Sequence, residues 1–567
     1  MVALTGTGRT NGTSKAGSGK GSGSGDKPKD QGPSQAQILV EIAEKRFRML
    51  MGADGQPYAV LSDGPAVVMP LSKGGGLRTK LAKLYTDHTG GKVPTSSALG
   101  DALTVLIGRA EECDPEPVEL RVGRLASGAI VIDLGTVEGH AVVVEPGAWR
   151  LVQRSPLLFR RSQVMRKLPL PVEPGTGTLD GFRALLNVGE EGWQLVVGWL
   201  VAALIPDIPH PMVVLSGLAG AGKSDATKML VKLIDDTHTP TRAIPKDGLD
   251  GWGITAYAHW VIGLDNLSTI PAWFSDALCR TVTGEGIEKR SLYTDMDVTA
   301  LFFQRPMVAN GIEMGDPAGD LAERSIPIEL ERISADARRK ETDVWAAFAA
   351  AHPAALGALL DLLAKVLHKL PTIKLDRLPR MADFAEVLAA LDQITGWDSL
   401  SAYERAISSA NEAVVISDGV ASAVVALAEQ HGTWSGTASQ LWDQLTPRDP
   451  FGKPQPADKS WPKSPSALSG RLKRVIPALA SEDVSISFER DTGHGRGRSI
   501  RITTGPVFWG KRPSDASDAS DAWHQPSTQG PESSDGVSEN ASDGRPMPSE
   551  TPSDTRPHSD RSDALSD

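Results

Sequence analysis

Residues 212–234 read MVVLSGLAGAGKSDATKMLVKLI: a short apolar strand pattern at 212–216, a glycine-rich loop ending in Lys-Ser at 217–224, and a helical pattern after it. Strand, loop and helix in that order are the context a phosphate-gripping loop requires. Gly217, Gly220 and Gly222 let the backbone amides, that of Ala221 included, turn inward as a nest around an anion. The helix opening at Lys223, Ser224 and Asp225 adds the positive end of its dipole. Lys223 supplies a point charge to the β- and γ-phosphates, and the Ser224 hydroxyl is placed to ligate Mg²⁺. The bland alternative is an accidental match in a chain with 57 glycines, and the flanking strand and helix speak against it. ATP and Mg²⁺ are the expected ligands.

Working outward, the next acid after a buried strand is the natural second partner of the metal. Residues 259–264 (HWVIGL) run into Asp265-Asn266, and a strand ending in Asp places a carboxylate at the sheet's carboxyl edge. Many hydrolysing P-loop ATPases follow this Asp with Glu, which orients the attacking water. Here the neighbour is Asn266, so either Asn266 positions water weakly or another acid does, Asp276 or Glu285. Further on, residues 305–309 lead to Asn310-Gly311, an amide at a strand end within reach of a γ-phosphate or a lytic water. Arg324 then precedes the apolar run 326–330 and is a candidate arginine finger. Singly these are weak: Asn before Gly is usually a turn, and Arg beside two acids is usually a surface ion pair.

The stretch 260–330 (WVIGLDNLSTIPAWFSDALCRTVTGEGIEKRSLYTDMD…RPMVANGIE…DLAERSIPIEL) resembles the ATPase core of phage, plasmid and poxvirus-type primase-helicases, which belong to helicase superfamily three within the AAA+ class. The DNLS, LCR, LYTD and NGIE strings are most similar to ATP-binding proteins of actinobacterial phages and mobile elements. The likeness spans roughly residues 36–505, with specific motifs only between 212 and 330. It implies an AAA+-type core in which Asn310 is the first sensor and Arg324 acts on a neighbouring subunit's ATP. It further implies a hexameric ring whose channel hairpin, matched here by 283–286 with Lys289 and Arg290, holds the DNA backbone. Asn266 departs from the pattern and leaves the hydrolytic base open.

The C-terminal region supports a DNA role independently. Helical patterns at 419–430, 437–445 and 464–480 precede two strand patterns, 484–490 and 498–503, joined by a Gly/His/Arg turn at 491–497. Leu468, Leu472, Val475 and Leu479 share one helical face, while Arg471, Lys473 and Arg474 sit mainly away from it. Three helices and a basic hairpin predict a winged helix, with the third helix as groove reader and Arg496 and Arg498 on the wing. A winged helix used for protein contacts is the competing reading.

Composition sets limits. At 567 residues several domains are expected. The formal charge of -11 argues against a uniformly basic coat. Cys113 and Cys279 stand far apart, which excludes a disulfide framework or a cysteine zinc site and suits a reducing cytoplasm. The first thirty-five residues lack an apolar segment of the kind a secretory signal needs. The apolar run 193–205 is too short to span a bilayer, so no membrane association is expected. No acidic pair with a partnering His marks a primase centre in 36–175, so primer synthesis is expected from a separate primase or polymerase.

The expected fold is α/β: a basic disordered arm (1–35), an N-terminal α+β domain (36–175), a P-loop ATPase domain (176–340), a helical segment (341–415), a winged-helix domain (416–505) and an acidic disordered tail (506–567). The expected function is an ATP-hydrolysing, helicase-like replication motor acting on single-stranded or forked DNA as a homo-oligomer. A DNA-dependent ATPase switch without unwinding is the alternative, and a small-molecule phosphotransferase is a third reading that would not need Asn310, Arg324 or a winged helix.

Overall fold

The computed structural model describes residues 33–72, 75–267, 269–284, 286–290, 298–311, 319–448, 451, 461–490 and 498–505. Residues 1–32 of the expected arm, the tail 506–567, the 491–497 turn with Arg496, and Glu285 lie outside the described residues.

Ser34 opens the first helix, Gln35–Arg46, through a capping box: its hydroxyl accepts the Gln37 amide, and the Gln37 side chain accepts the Ser34 N–H at 2.7 Å. Helical spacing in the sequence continues to residue 48, but Phe47 already has extended backbone and begins the strand Phe47–Gly52, which pairs antiparallel with Pro57–Leu61. Local helical spacing loses to cross-strand pairing there. The strand belongs to a six-stranded sheet, on which the helices Gln35–Arg46, Gly76–His88 and Ser96–Glu111 close a small core around Leu39, Leu81 and Leu106.

Residues 122–152 form a four-stranded antiparallel meander: Val122–Arg124, Ile130–Asp133, Ala141–Glu145 and Ala148–Val152. Its inward face joins the molecule's largest core, which runs from Leu120 to Tyr403 and so crosses the boundaries read at 175/176 and 340/341. One polar joint holds this junction. Arg121 is fully buried and gives its Nε to Asp235 at 2.9 Å and its other N–H groups to the carbonyls of Asp133, Arg166 and Asp236. The second oxygen of Asp235 accepts the amides of Trp260 and Val261, so both charges are met by hydrogen bonds, as burial demands.

At the centre lies a five-stranded parallel sheet in the order Thr241–Arg242, Ile262–Leu264, Met307–Asn310, Met212–Ser216, Ser325–Glu329. From Met212–Ser216 the chain goes to one side of the sheet and returns through Ser325–Glu329 on the other. Strand order therefore reverses at Met212–Ser216, and ligands of open α/β sheets bind beyond the carboxyl ends at such a point. The helix Lys223–Ile234 follows the loop directly and buries Ala226, Met229, Leu230, Leu233 and Ile234 against the sheet.

The helices Glu341–Lys369, Ala382–Thr395 and Ser399–Ser417 complete this core. The segment Glu341–Thr372 is long and apolar enough to cross a membrane by length and composition, and half of its apolar window is buried inside the protein. Trp149 from the meander donates to Asp361 on it at 2.8 Å. The C-terminal region has its own core around Val424, Leu441, Leu472 and Ile502. Its helices are Gly419–His431, Ala438–Leu445 and Pro465–Ser481. Its sheet has three strands, Thr433–Thr437, Arg498–Thr504 and Val484–Arg490. The Thr433–Thr437 strand was not legible in the sequence: TWSGT shows no apolar alternation, and pairing with Arg498–Thr504 creates it.

Candidate nucleotide site

The loop 217–224 sits at the carboxyl end of Met212–Ser216. Gly217, Gly220 and Gly222 all have positive φ (136°, 82° and 81°), the turning that lets successive amides converge on an anion. Gly217 also has no room for a side chain, because a Cβ there would lie 2.5 Å from the Leu330 carbonyl. Ala221 is buried, and its amide bonds the Leu218 carbonyl, which closes the loop. Gly222 caps the helix Lys223–Ile234 without a side chain, leaving the free amides of its first turn, Ser224 and Asp225 among them, to a ligand. Lys223 Nζ donates to the carbonyls of Gly217 (2.5 Å) and Leu218 (3.3 Å), so its ammonium lies within the loop. The Asp225 carboxylate faces Lys228 at 3.4 Å.

Ser224 Oγ donates to Asp265 Oδ1 at 2.9 Å, across 41 residues of sequence. Asp265 follows Ile262–Leu264, which is separated from the loop strand by Met307–Asn310. A hydroxyl and a carboxylate are hard oxygen donors, the set Mg²⁺ takes when phosphate and water complete its shell. Among the described residues no three His, Cys, Asp or Glu side chains converge to hold a metal alone, so a cation here would share phosphate oxygens.

Asn310 is buried behind this pair. Its Oδ1 accepts the Asn266 amide at 3.0 Å, its Nδ2 donates to Thr227 Oγ1 at 2.7 Å, and its carbonyl accepts the Leu267 amide. Asn266 has a left-handed φ of 57°, uncommon without a glycine. Asn310 thus ties the turn carrying Asp265 to the helix carrying Ser224.

The other residues expected at the site lie elsewhere. Arg324 precedes Ser325–Glu329, whose parallel register matches Met212 with Ser325 and Ser216 with Glu329. It stands at the opposite end of the sheet from the loop, roughly 15 Å away at strand rise. It is buried and pairs with the Asp320 carboxylate and carbonyl, while Arg380 approaches the same carboxylate at 3.8 Å. Asp276 belongs to this far corner too. It helps raise the Cys279 thiol, which burial and Asp320 push up to about 12. Lys289 and Arg290 lie in Gly286–Arg290, the first strand of a two-stranded hairpin with Val298–Phe302. In the C-terminal region Lys473 and Arg474 are exposed, with Lys473 over the Phe488 ring at 5.5 Å. Arg471 instead gives its Nε to Asp418 at 2.6 Å, and Arg498 begins the last strand.

Two residues near the loop escaped the sequence reading. Asn187 Nδ2 and Ile333 Cδ1 lie 3.7 and 3.5 Å from where a Gly222 Cβ would be. No local motif marks either one, because both arrive through pairing of residue 188 with residue 330.

Residues 180–413 match the family model described as "Actinomycete integrative conjugative element replication protein", and residues 420–519 match "AICE RepA C-terminal domain". The matches place the chain in that replication-protein family. It is accordingly a replication protein of a mobile element. No curated protein matches the sequence. Among solved structures, the apo C-terminal region of NrS-1 (residues 305–718) is 13% identical over 84% of this chain and 100% of that one, with a TM-score of 0.36. A JCV helicase structure is 12% identical over 43% of this chain and 68% of that one, with a TM-score of 0.23. At these scores the likenesses fix neither the fold nor the activity of this replication protein.

Proposed function

We propose that this replication protein is an ATP-driven, helicase-like DNA motor: an AAA+-type P-loop core that binds and hydrolyses ATP with Mg²⁺, working on DNA as a ring of copies. The observation that carries the reading is the 2.9 Å contact between Ser224 and Asp265, which joins the two elements a phosphate-bound cation needs. When bound, Mg²⁺ neutralises charge on the β- and γ-phosphates. Lys223 and the loop amides hold those phosphates, and Asn310 keeps Asp265 in register with Ser224. Arg324 lies too far from its own loop to touch that ATP, so as a finger it serves a neighbouring copy, in keeping with the hexamer implied by resemblance. Residues 419–504 run helix, strand, helix, helix, strand, strand, the succession of a winged helix, with Lys473 and Arg474 free to meet phosphates. The motor works in the cytoplasm, and a separate primase or polymerase makes the primer.

A DNA-dependent switch without unwinding is favoured by one observation. The position after Asp265 is an amide, Asn266, whose backbone is held by Asn310, and no carboxylate stands there to orient water. The test is ATP turnover with and without single-stranded DNA, together with strand displacement from a fork at low salt, beside Lys223→Ala. DNA-stimulated turnover with displacement, both lost in Lys223→Ala, is expected. Stimulation without displacement selects the switch. Turnover indifferent to DNA and to Arg324→Ala sinks the motor.

A further inference from the structure

We infer that Arg338 is a phosphate-binding residue acting on the nucleotide held by its own chain. The inference rests on the nucleotide reading above and adds a residue to that site. The segment after Ser325–Glu329 does not leave the loop. The Leu330 amide bonds the Ser216 carbonyl at 2.9 Å, and the Glu331 amide bonds the Asn187 carbonyl at 2.7 Å. Ile333 then packs beside Gly222, and a short turn of 3-10 helix, Ala335–Ala337, carries the chain back over the loop. Arg338 follows, with Nη2 3.9 Å from where a Cβ of Gly220 would lie.

Arg324 and Arg338 are therefore in opposite states. Arg324 is buried and tied to Asp320 at the far end of the sheet. Arg338 is exposed, stands beside the loop crest, and has no hydrogen bond or ion pair with a described residue. A guanidinium so placed gains a partner when the terminal phosphates of a nucleoside triphosphate enter the loop, and its planar fork suits phosphate oxygens. Gly220 keeps that approach open, since it brings no side chain between the arginine and the loop.

The experiment is titration of the full chain with a fluorescent ATP analogue and Mg²⁺, comparing wild type with Arg338→Ala, Arg338→Lys, Arg339→Ala and Lys223→Ala, with Tm recorded for each. Arg338→Ala is expected to weaken binding about tenfold, the scale of one charge-assisted hydrogen bond, at unchanged Tm. Arg338→Lys should recover part of the loss, and Arg339→Ala should bind as wild type. Binding lost in Lys223→Ala but unchanged in Arg338→Ala overturns the assignment of Arg338 alone. So does an equal loss in Arg339→Ala, which reports general charge rather than a contact. A wild-type chain that binds no nucleotide overturns the nucleotide reading itself.

Discussion

Asn310 Oδ1 accepts the backbone N–H of Asn266 at 3.0 Å while its Nδ2 donates to Thr227 at 2.7 Å, so one buried amide holds the Asp265 turn against the helix that carries Ser224. Asn310→Ala removes the acceptor of the half-buried Asn266 amide and the donor to the buried Thr227 hydroxyl, a loss of about 1–3 kcal/mol. A lower Tm and loss of ATP turnover are expected together. Full turnover in Asn310→Ala would show that the turn holds itself.

Ser224 and Asp265 form the cation pair of the proposed site. Asp265→Asn and Ser224→Ala should each cut Mg²⁺-dependent turnover, roughly 100-fold for Asp265, and EDTA should abolish it in the wild type. Binding of the nucleotide without Mg²⁺ should survive better than turnover. Equal turnover in Asp265→Asn would remove this carboxylate from the chemistry.

Arg121 and Asp235 lock the N-terminal meander to the core around the parallel sheet with side chains that are 0% and 3% exposed. Arg121→Ala strands a buried carboxylate and should destabilise by about 3–5 kcal/mol. Asp235→Leu in the same chain should not rescue it, because Asp235 also accepts the amides of Trp260 and Val261. Thermal melts decide this, with the exposed pair Arg150–Glu145 as a control in which Arg150→Ala changes little.

Acid should loosen the core through His210. Neither ring nitrogen has a hydrogen-bond partner, the ring lies edge-on to Trp260, and burial, aided by Arg305, lowers its pKa to about 3. In the unfolded chain it titrates near 6.5. The unfolded state takes up a proton that the folded state refuses. This contribution is therefore complete above about pH 6.5 and is lost as pH falls toward 3, by up to about 1.4 kcal/mol per unit. Tm should drop between pH 7.5 and 5, and His210→Leu should drop less steeply. An unchanged slope in that variant would assign the effect to other groups, His259 first, which burial and Arg242 also hold near 3.

On the C-terminal region the basic residues divide. Lys473→Ala and Arg474→Ala should weaken DNA binding and flatten its salt dependence by roughly one unit per phosphate contact. Arg471→Ala should act mainly on stability. Its partner Asp418 is buried and also caps Gly419–His431 through the amides of Val420 and Ala421. Filter-binding salt titrations beside melts separate the two, and an undiminished salt slope in Lys473→Ala with Arg474→Ala would remove this face from DNA.

The sequence by itself determined the local order of the site. Strand, glycine-rich loop and helix at 212–234 are written in residue types whose backbone preferences need no distant partner, and the same holds for the helix and strand patterns of the C-terminal region. Tertiary structure decided which residues share the site. Asp265 reaches Ser224, and Asn310 reaches both elements, only because their strands lie side by side out of chain order. Arg324 and Arg338 are both basic residues flanking the strand Ser325–Glu329, yet parallel register sends one to the far end of the sheet and a turn returns the other to the loop. The early end of the first helix, the Thr433–Thr437 strand and the Arg121–Asp235 joint were invisible for the same reason: each depends on a hydrogen-bonding partner distant in sequence, which periodicity along the chain does not encode.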